Sequence, residues 1–181
     1  MTMNQPCMFL ITGIMASGKS TVAQLLAAKF NKSVHLRGDI FRKMIVCDRK
    51  EVKPDAGEDQ LEQLRLRYRL SAQAADTYYS QGFTVIMQDV VVGPMLTEFL
   101  SFVRTRPLYV VVLNPDTQEV AAREAARPKK GYGEWTVEGL YSVLNNETPE
   151  IGMWVDSSNL TPEETVEEIL SRAWSEAHIV S

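Results

Sequence analysis

At 181 residues, with 45% apolar and 23% charged residues, the chain has the size and composition of one ordinary globular domain with a sizeable core. A net charge of −4 offers no general attraction for a polyphosphate backbone, so nucleic acid is not an expected partner. Two cysteines, Cys7 and Cys47, in no CxxC pair exclude a disulfide scaffold and a zinc cluster, and fit a reducing cytosol. No apolar run approaches the roughly 20 residues of a membrane helix, and the apolar start without a basic segment does not read as a signal peptide.

In chain order, "CMFLIT" (7–12) reads as a buried strand ending at Gly13, and "KSTVAQLLAAKF" (19–30) as a helix. "SVHL" (33–36) is a second strand and "DIFRKMIV" (39–46) a helix. A polar loop with Pro54 and Gly57 follows. Leu61, Leu64, Tyr68, Ala72, Ala75 and Tyr79 recur every three or four residues and predict a long amphipathic helix closed by Gly82. Then come a strand (83–89), a helix (96–104), a strongly β-branched strand (107–113) and a helix (116–127). "PKKGYGE" (128–134) breaks the pattern before a further helix (136–147) and a last strand (152–156). Thr161, Pro162 and Glu164 supply the N-cap, first-turn proline and capping-box glutamate of a terminal helix running to about Ala177. His178 is expected in a frayed tail. Five strands alternating with helices predict an α/β fold of three layers, a five-stranded parallel sheet covered on both faces. Ligands of such sheets bind beyond the carboxyl ends of the strands.

Gly13-Ile14-Met15-Ala16-Ser17-Gly18-Lys19-Ser20 satisfies G-x-x-x-x-G-K-[ST] between a predicted strand and a predicted helix. The glycines let successive N–H groups, including those of Ala16, Ser17 and Gly18, point into one anion-sized hollow at a helix start. Lys19 is expected at the β- and γ-phosphates of a nucleoside triphosphate, the Ser20 hydroxyl on Mg²⁺ and Thr21 at the α-phosphate. The sequence lacks the Asn-Lys-x-Asp base-reading loop of guanine switches, and its length leaves no room for the extra modules of a transporter or helicase engine. A small kinase needs a proton acceptor and mobile cations over the transferring phosphoryl group, and the remaining polar residues offer both.

Asp39, after the second strand, is a candidate general base; the alternative is an N-cap of the next helix, and the roles can coexist. Arg42, one turn on, faces the same space as a substrate-binding candidate or a solvated arginine. Asp89, at the end of the third strand, is a candidate for the Mg²⁺ shell and the acceptor site, or a cap of the turn after it. Arg123 and Arg127 share a helix face, and with "PKKGYGEW" they read as a lid over about residues 123–135 that clamps the polyphosphate; a solvated basic helix end is the plainer alternative.

With "HLRGD", "VIMQDVVVGP", "REAARPKKGYG" and "WVDSSNLTPEETVEEI" added in order, the chain resembles small P-loop kinases of the adenylate, gluconate and shikimate kinase type, above all the chloramphenicol phosphotransferase-like group. That resemblance implies Asp39 as general base, Arg123 and Arg127 as lid arginines, and a turn around Asn159 and Thr161 that touches adenine. The chloramphenicol enzymes end the third strand in two acidic residues; here Gln88 replaces the first. The expected protein is a cytosolic ATP- and Mg²⁺-dependent kinase acting on the hydroxyl of a small molecule, such as an antibiotic or a sugar-like metabolite, as a monomer or homodimer. Its alternatives are a nucleoside, nucleotide or polynucleotide 5′-end kinase, and a non-kinase ATP-dependent binding protein.

Overall fold

The computed structural model describes residues 5–128 and 131–179. Strand β1 (Met8–Gly13) is buried along its whole length and lies between β3 (Thr84–Gln88) and β4 (Leu108–Leu113). With β2 (Ser33–Arg37) and β5 (Met153–Val155) at the flanks, the order is β2-β3-β1-β4-β5, all parallel. A hydrogen-bonded parallel sheet needs both faces covered, and the sequence supplies two sets of apolar side chains at a period of two. Met8 and Leu10 of β1 face the layer of α3 (Glu58–Ser80), α4 (Met95–Phe102) and α6 (Val137–Ser142), against Tyr68, Ala72, Phe99 and Leu140. Phe9 and Ile11 face the layer of α1 (Lys19–Ala27) and α7 (Pro162–Glu176), against Val22, Leu26, Val166 and Ile169. Each such side chain, removed from water, contributes about 1.5–3 kcal/mol.

Several boundaries differ from the sequence expectation. Helix α2 covers only Asp39–Lys43 and buries none of its residues; Met44 and Ile45 still donate back to the Ile40 and Arg42 carbonyls, but Val46 beyond them is open to solvent. Helix α3 starts three residues before its apolar stripe, with Glu58 and Asp59 in the first turn, where they complement the helix dipole. The expected helix over 136–147 ends at Ser142 and gives way to one π-helical turn, Val143–Glu147. Helix α5 (Thr117–Ala126) is capped by Asp116, and α7 carries the complete capping box, with Thr161 and Glu164 bonding each other's backbone.

The tail after α7 is ordered. His178–Ile179 form β6, antiparallel to Leu108 and Tyr109 of β4, with the His178 ring against Tyr109. The expected frayed end is therefore a sixth strand. Three-residue β5 covers only the second half of β4, which leaves the first half of that edge for β6 to pair.

Candidate active site

The turn after β1 and the carboxyl ends of β2 and β3 open onto one cleft of about 1280 Å³. That exceeds the usual single-ligand pocket of roughly 300–1,000 Å³. The cleft has two halves, one built from the turn after β1 and one from the ends of β2 and β3 with α2 and α3.

In the first half the backbone makes the surface. Gly13 has φ of +141°, and a Cβ there would stand 2.4 Å from the Leu113 carbonyl oxygen. Gly18 (φ +94°) and Ala16 (φ +63°) are also left-handed, which turns the chain into a hollow in front of α1. Gly18 caps α1 without any side-chain hydrogen bond, so the first-turn N–H groups stay open to an anion. Lys19 is buried; its Nζ donates to the Ile14 carbonyl at 2.5 Å and to Ser17 Oγ at 3.4 Å. Burial, with repulsion from Arg127 and Arg67, pushes its pKa down to about 7. Ser20 and Thr21 line the cleft.

Ser20 Oγ donates to Gln88 Oε1 at 3.2 Å, which joins the phosphate turn to the end of β3. Asp89, the expected neighbour of the metal, lines the same cleft beside Gln88. It is 3% exposed, and its Oδ2 accepts from Arg67 Nε at 2.8 Å. Its Oδ1 accepts from a second Arg67 nitrogen and from the Val90 N–H at 2.7 Å. Both carboxylate oxygens are engaged, and the oxygen that meets Ser20 belongs to Gln88. Among the described residues no three His, Cys, Asp or Glu side chains form a metal site.

Arg67 is the functional candidate that the sequence reading missed. It comes from the middle of α3, is mostly buried, and binds Asp89 from 22 residues away. A signal exists: Leu64, Arg67 and Ser71 follow the three-and-four spacing of the buried stripe, and a charge inside such a stripe needs a partner. Gly38 completes the arrangement. A Cβ at Gly38 would lie 2.0 Å from Asp89 Oδ2, so the backbone passes where only glycine fits.

Asp39 is the first residue of α2 and lines the cleft, paired with Lys43 one turn on. Burial raises its pKa, but the Lys43 ammonium, with Arg67 and Arg37, outweighs this and holds it below the ordinary carboxylate value. It is therefore ionised at neutral pH. Arg42 also lines the cleft, paired with Glu51 of the loop before α3.

The described residues of the segment expected as a lid border both halves. Arg123 of α5 is held by Glu119 at 2.7 Å and turned toward the carbonyls of Ser17 (3.4 Å) and Ser157 (3.3 Å), at the phosphate turn. Arg127 pairs with Glu124 at 3.2 Å and is exposed at the cleft. Tyr132 OH donates to the Met15 carbonyl at 2.7 Å, and Trp135 Nε1 to the Val52 carbonyl at 2.9 Å. Glu134 binds Lys53 at 2.7 Å. Lys129 and Lys130, the lid's two lysines, lie outside the described residues. The expected adenine contacts Asn159 and Thr161 do not line the cleft. Thr161 Oγ1 instead accepts from the Glu164 N–H as the cap of α7, and Asn159 is exposed.

Comparison with known proteins agrees with this geometry. The chain belongs to the AAA domain family, whose model matches residues 10–151. No curated protein matches the sequence. A sugar kinase from Janibacter sp. HTCC2649 superposes with a TM-score of 0.68 at 15% identity, over 92% of this chain and 93% of that one. The APS kinase of Mycobacterium tuberculosis in complex with AMPPNP and APS superposes at 0.65 and 16%, over 92% and 96%. The tunicamycin resistance protein of Deinococcus radiodurans superposes at 0.64 and 13%, over 98% and 100%. The fold is that of the P-loop kinases.

Proposed function

We propose that this protein is a single-domain, ATP-dependent phosphotransferase that moves the γ-phosphoryl group onto a hydroxyl of a small molecule, the antibiotic and sugar-like classes included. One observation carries the reading: an ionised, accessible carboxylate, Asp39, lines the same cleft as the phosphate turn. A nucleotide-dependent binding protein would need the turn but not the carboxylate.

In this reading the backbone hollow from Gly13 to Lys19 cradles the phosphates, and Lys19 leaves the Ile14 carbonyl to meet the β- and γ-oxygens. Arg123 and Arg127 neutralise charge on the equatorial oxygens of a loose transition state. Adenine lies toward the Ser157–Thr161 side of Arg123. Asp39 accepts the proton of the attacking hydroxyl, and Arg42 and Arg67 orient the acceptor. Ser20 Oγ and Gln88 Oε1 are neutral oxygens that suit a hard cation taking its remaining ligands from phosphate and water. Mg²⁺ bound there would offset the charge of the β- and γ-phosphates. Asp89 keeps Arg67 in place. Among the described residues no helix is long and apolar enough to cross a membrane.

The test is product analysis of ATP and Mg²⁺ incubations with hydroxylated antibiotics, sugars, polyols and nucleosides. A phosphorylated product whose rate falls by roughly 10²–10³ in Lys19→Ala is expected. ATP hydrolysis that no acceptor stimulates, with a stable protein complex in its place, would refute the kinase reading.

A further inference from the structure

Strand β2 and helix α1 meet along a ladder of side chains. Val34 and Leu36 pack into the layer of α3 and α4, so Ser33, His35 and Arg37 take the other side of the strand. Ser33 Oγ donates to the Ala27 carbonyl at 2.6 Å, and His35 Nδ1 lies 2.9 Å from Gln24 Oε1. The strand climbs toward the cleft while α1 runs away from it, so the next rung on that helix face is Ser20. Arg37 is the strand residue at this level. The register agrees: Arg37 is the cross-strand partner of Gln88, whose Oε1 accepts from Ser20 Oγ at 3.2 Å.

Arg37 is exposed, lines the cleft, and forms no ion pair with any described residue. The acids near it in sequence and register are committed elsewhere, Asp39 to Lys43 and Asp89 to Arg67. Burial and then repulsion from Arg37 lower the pKa of His35, which agrees with the two side chains sharing a face. An unpaired guanidinium thus stands beside the uncapped first turn of α1, itself a positive end. Two positive groups so placed repel until an anion lies between them, and phosphate is the anion that such a turn takes.

Which phosphate it meets follows from the strand order. Strand β1 is central, with β4 and β5 on one side and β3 and β2 on the other. Arg123, which follows β4, reaches from Ser17 in the phosphate turn to Ser157 after β5, the side where the base is assigned. The far end of the triphosphate then lies toward β3 and β2, where Arg37 stands.

We propose that Arg37 is a catalytic arginine that donates to the non-bridging oxygens of the γ-phosphoryl group, from the side opposite Arg123. The proposal rests on the kinase reading for the direction of the nucleotide. In the transfer, the acceptor oxygen bonds to the γ-phosphorus as the bond to the β–γ bridging oxygen breaks. ADP leaves with the bridging oxygen, and the acceptor proton passes to Asp39. The guanidinium can meet two phosphoryl oxygens at once and keeps them through the step.

The experiment measures the affinities of AMPPNP and ADP by calorimetry, with Mg²⁺, in the unaltered protein and in Arg37→Ala, beside transfer rates over the panel of hydroxylated acceptors. The unfolding temperature of the variant confirms its fold, since the side chain replaced is exposed. AMPPNP should bind about tenfold more weakly, with ADP unchanged within about twofold, because only the γ-phosphate loses a charged hydrogen bond. Transfer should fall by about 10²–10³. Equal losses for both nucleotides, or no loss for AMPPNP, overturn the proposal and leave the kinase reading intact. An effect confined to the KM of the acceptor does the same. A loss specific to AMPPNP, in a protein that transfers phosphate to nothing on the panel, supports the γ-phosphate contact and tells against the kinase reading.

Discussion

The two halves of the cleft are made of different material. On the phosphate side the surface is main chain, turned by Gly13, Ala16 and Gly18 and fixed by β1 beneath it. On the acceptor side the surface is side chain, and its charged floor is a buried pair between residues 22 apart that presses on Gly38. A backbone anion site can serve any nucleotide-dependent reaction. The side-chain half decides which one.

The sharpest way to break this division is Asp39→Asn. If the acceptor half carries the proton transfer, turnover falls by about 10²–10⁴, while ATP affinity, measured by calorimetry, stays within a few-fold. A matching loss of ATP affinity would mean that the halves are not separable.

A second substitution tests the charged floor. Asp89→Asn leaves the Arg67 guanidinium buried without its counter-charge, at a cost of about 3–5 kcal/mol in unfolding free energy. Urea denaturation measures it. The double change Asp89→Leu with Arg67→Met should restore much of the stability without restoring transfer, because apolar residues can replace a buried pair structurally but cannot orient an acceptor. Restored transfer would confine the pair to a scaffold role.

The smallest effect belongs to the phosphate side. The folded pKa of Lys19, about 7, lies below the 10.5 of an ordinary lysine, so between these limits the unfolded chain binds more protons than the folded one. Stability therefore rises with pH across that window, and below it the full penalty of the buried ammonium is present. Phosphate oxygens beside Nζ favour the charged form, so ATP binding near pH 8 should take up close to one proton. Calorimetry in two buffers of different ionisation enthalpy reads this directly, and Lys19→Met should abolish both the uptake and the slope. A proton count of zero in the unaltered protein would mean that Lys19 is charged throughout.

The same division explains what the sequence made legible. The phosphate turn was readable because a backbone conformation imposes residue types at fixed spacing: Gly13 and Gly18 are required where a Cβ would collide or φ is positive. The sheet was readable because β1 and β4 are unbroken apolar runs and α3 keeps one stripe. Pairings between distant side chains leave no such trace. Arg67 could be suspected from its place in the stripe, but its choice of Asp89 could not, and the carboxylate beside Gln88 consequently looked like a metal ligand. The bond from Trp135 to Val52 spans 83 residues and has no local signature. Thr161 was readable as a cap, and the competing adenine role came only from likeness to other kinases. The π turn and β6 follow from tertiary vacancies, at Val143–Glu147 and along the first half of β4, that no local pattern encodes.

The position of β1 also sets the rhythm of the molecule. A central strand bonded on both sides exchanges its amide hydrogens only when the sheet itself comes apart. The lid and the loop at Val52 are held by a few side-chain bonds and open locally, at far lower free energy. In the kinase reading, nucleotide meets the strand-backed turn, and Tyr132 and Trp135 close over it through a few side-chain bonds. On that reading the pace of ligand exchange belongs to the contacts of Tyr132, Glu134 and Trp135, not to the glycine turn.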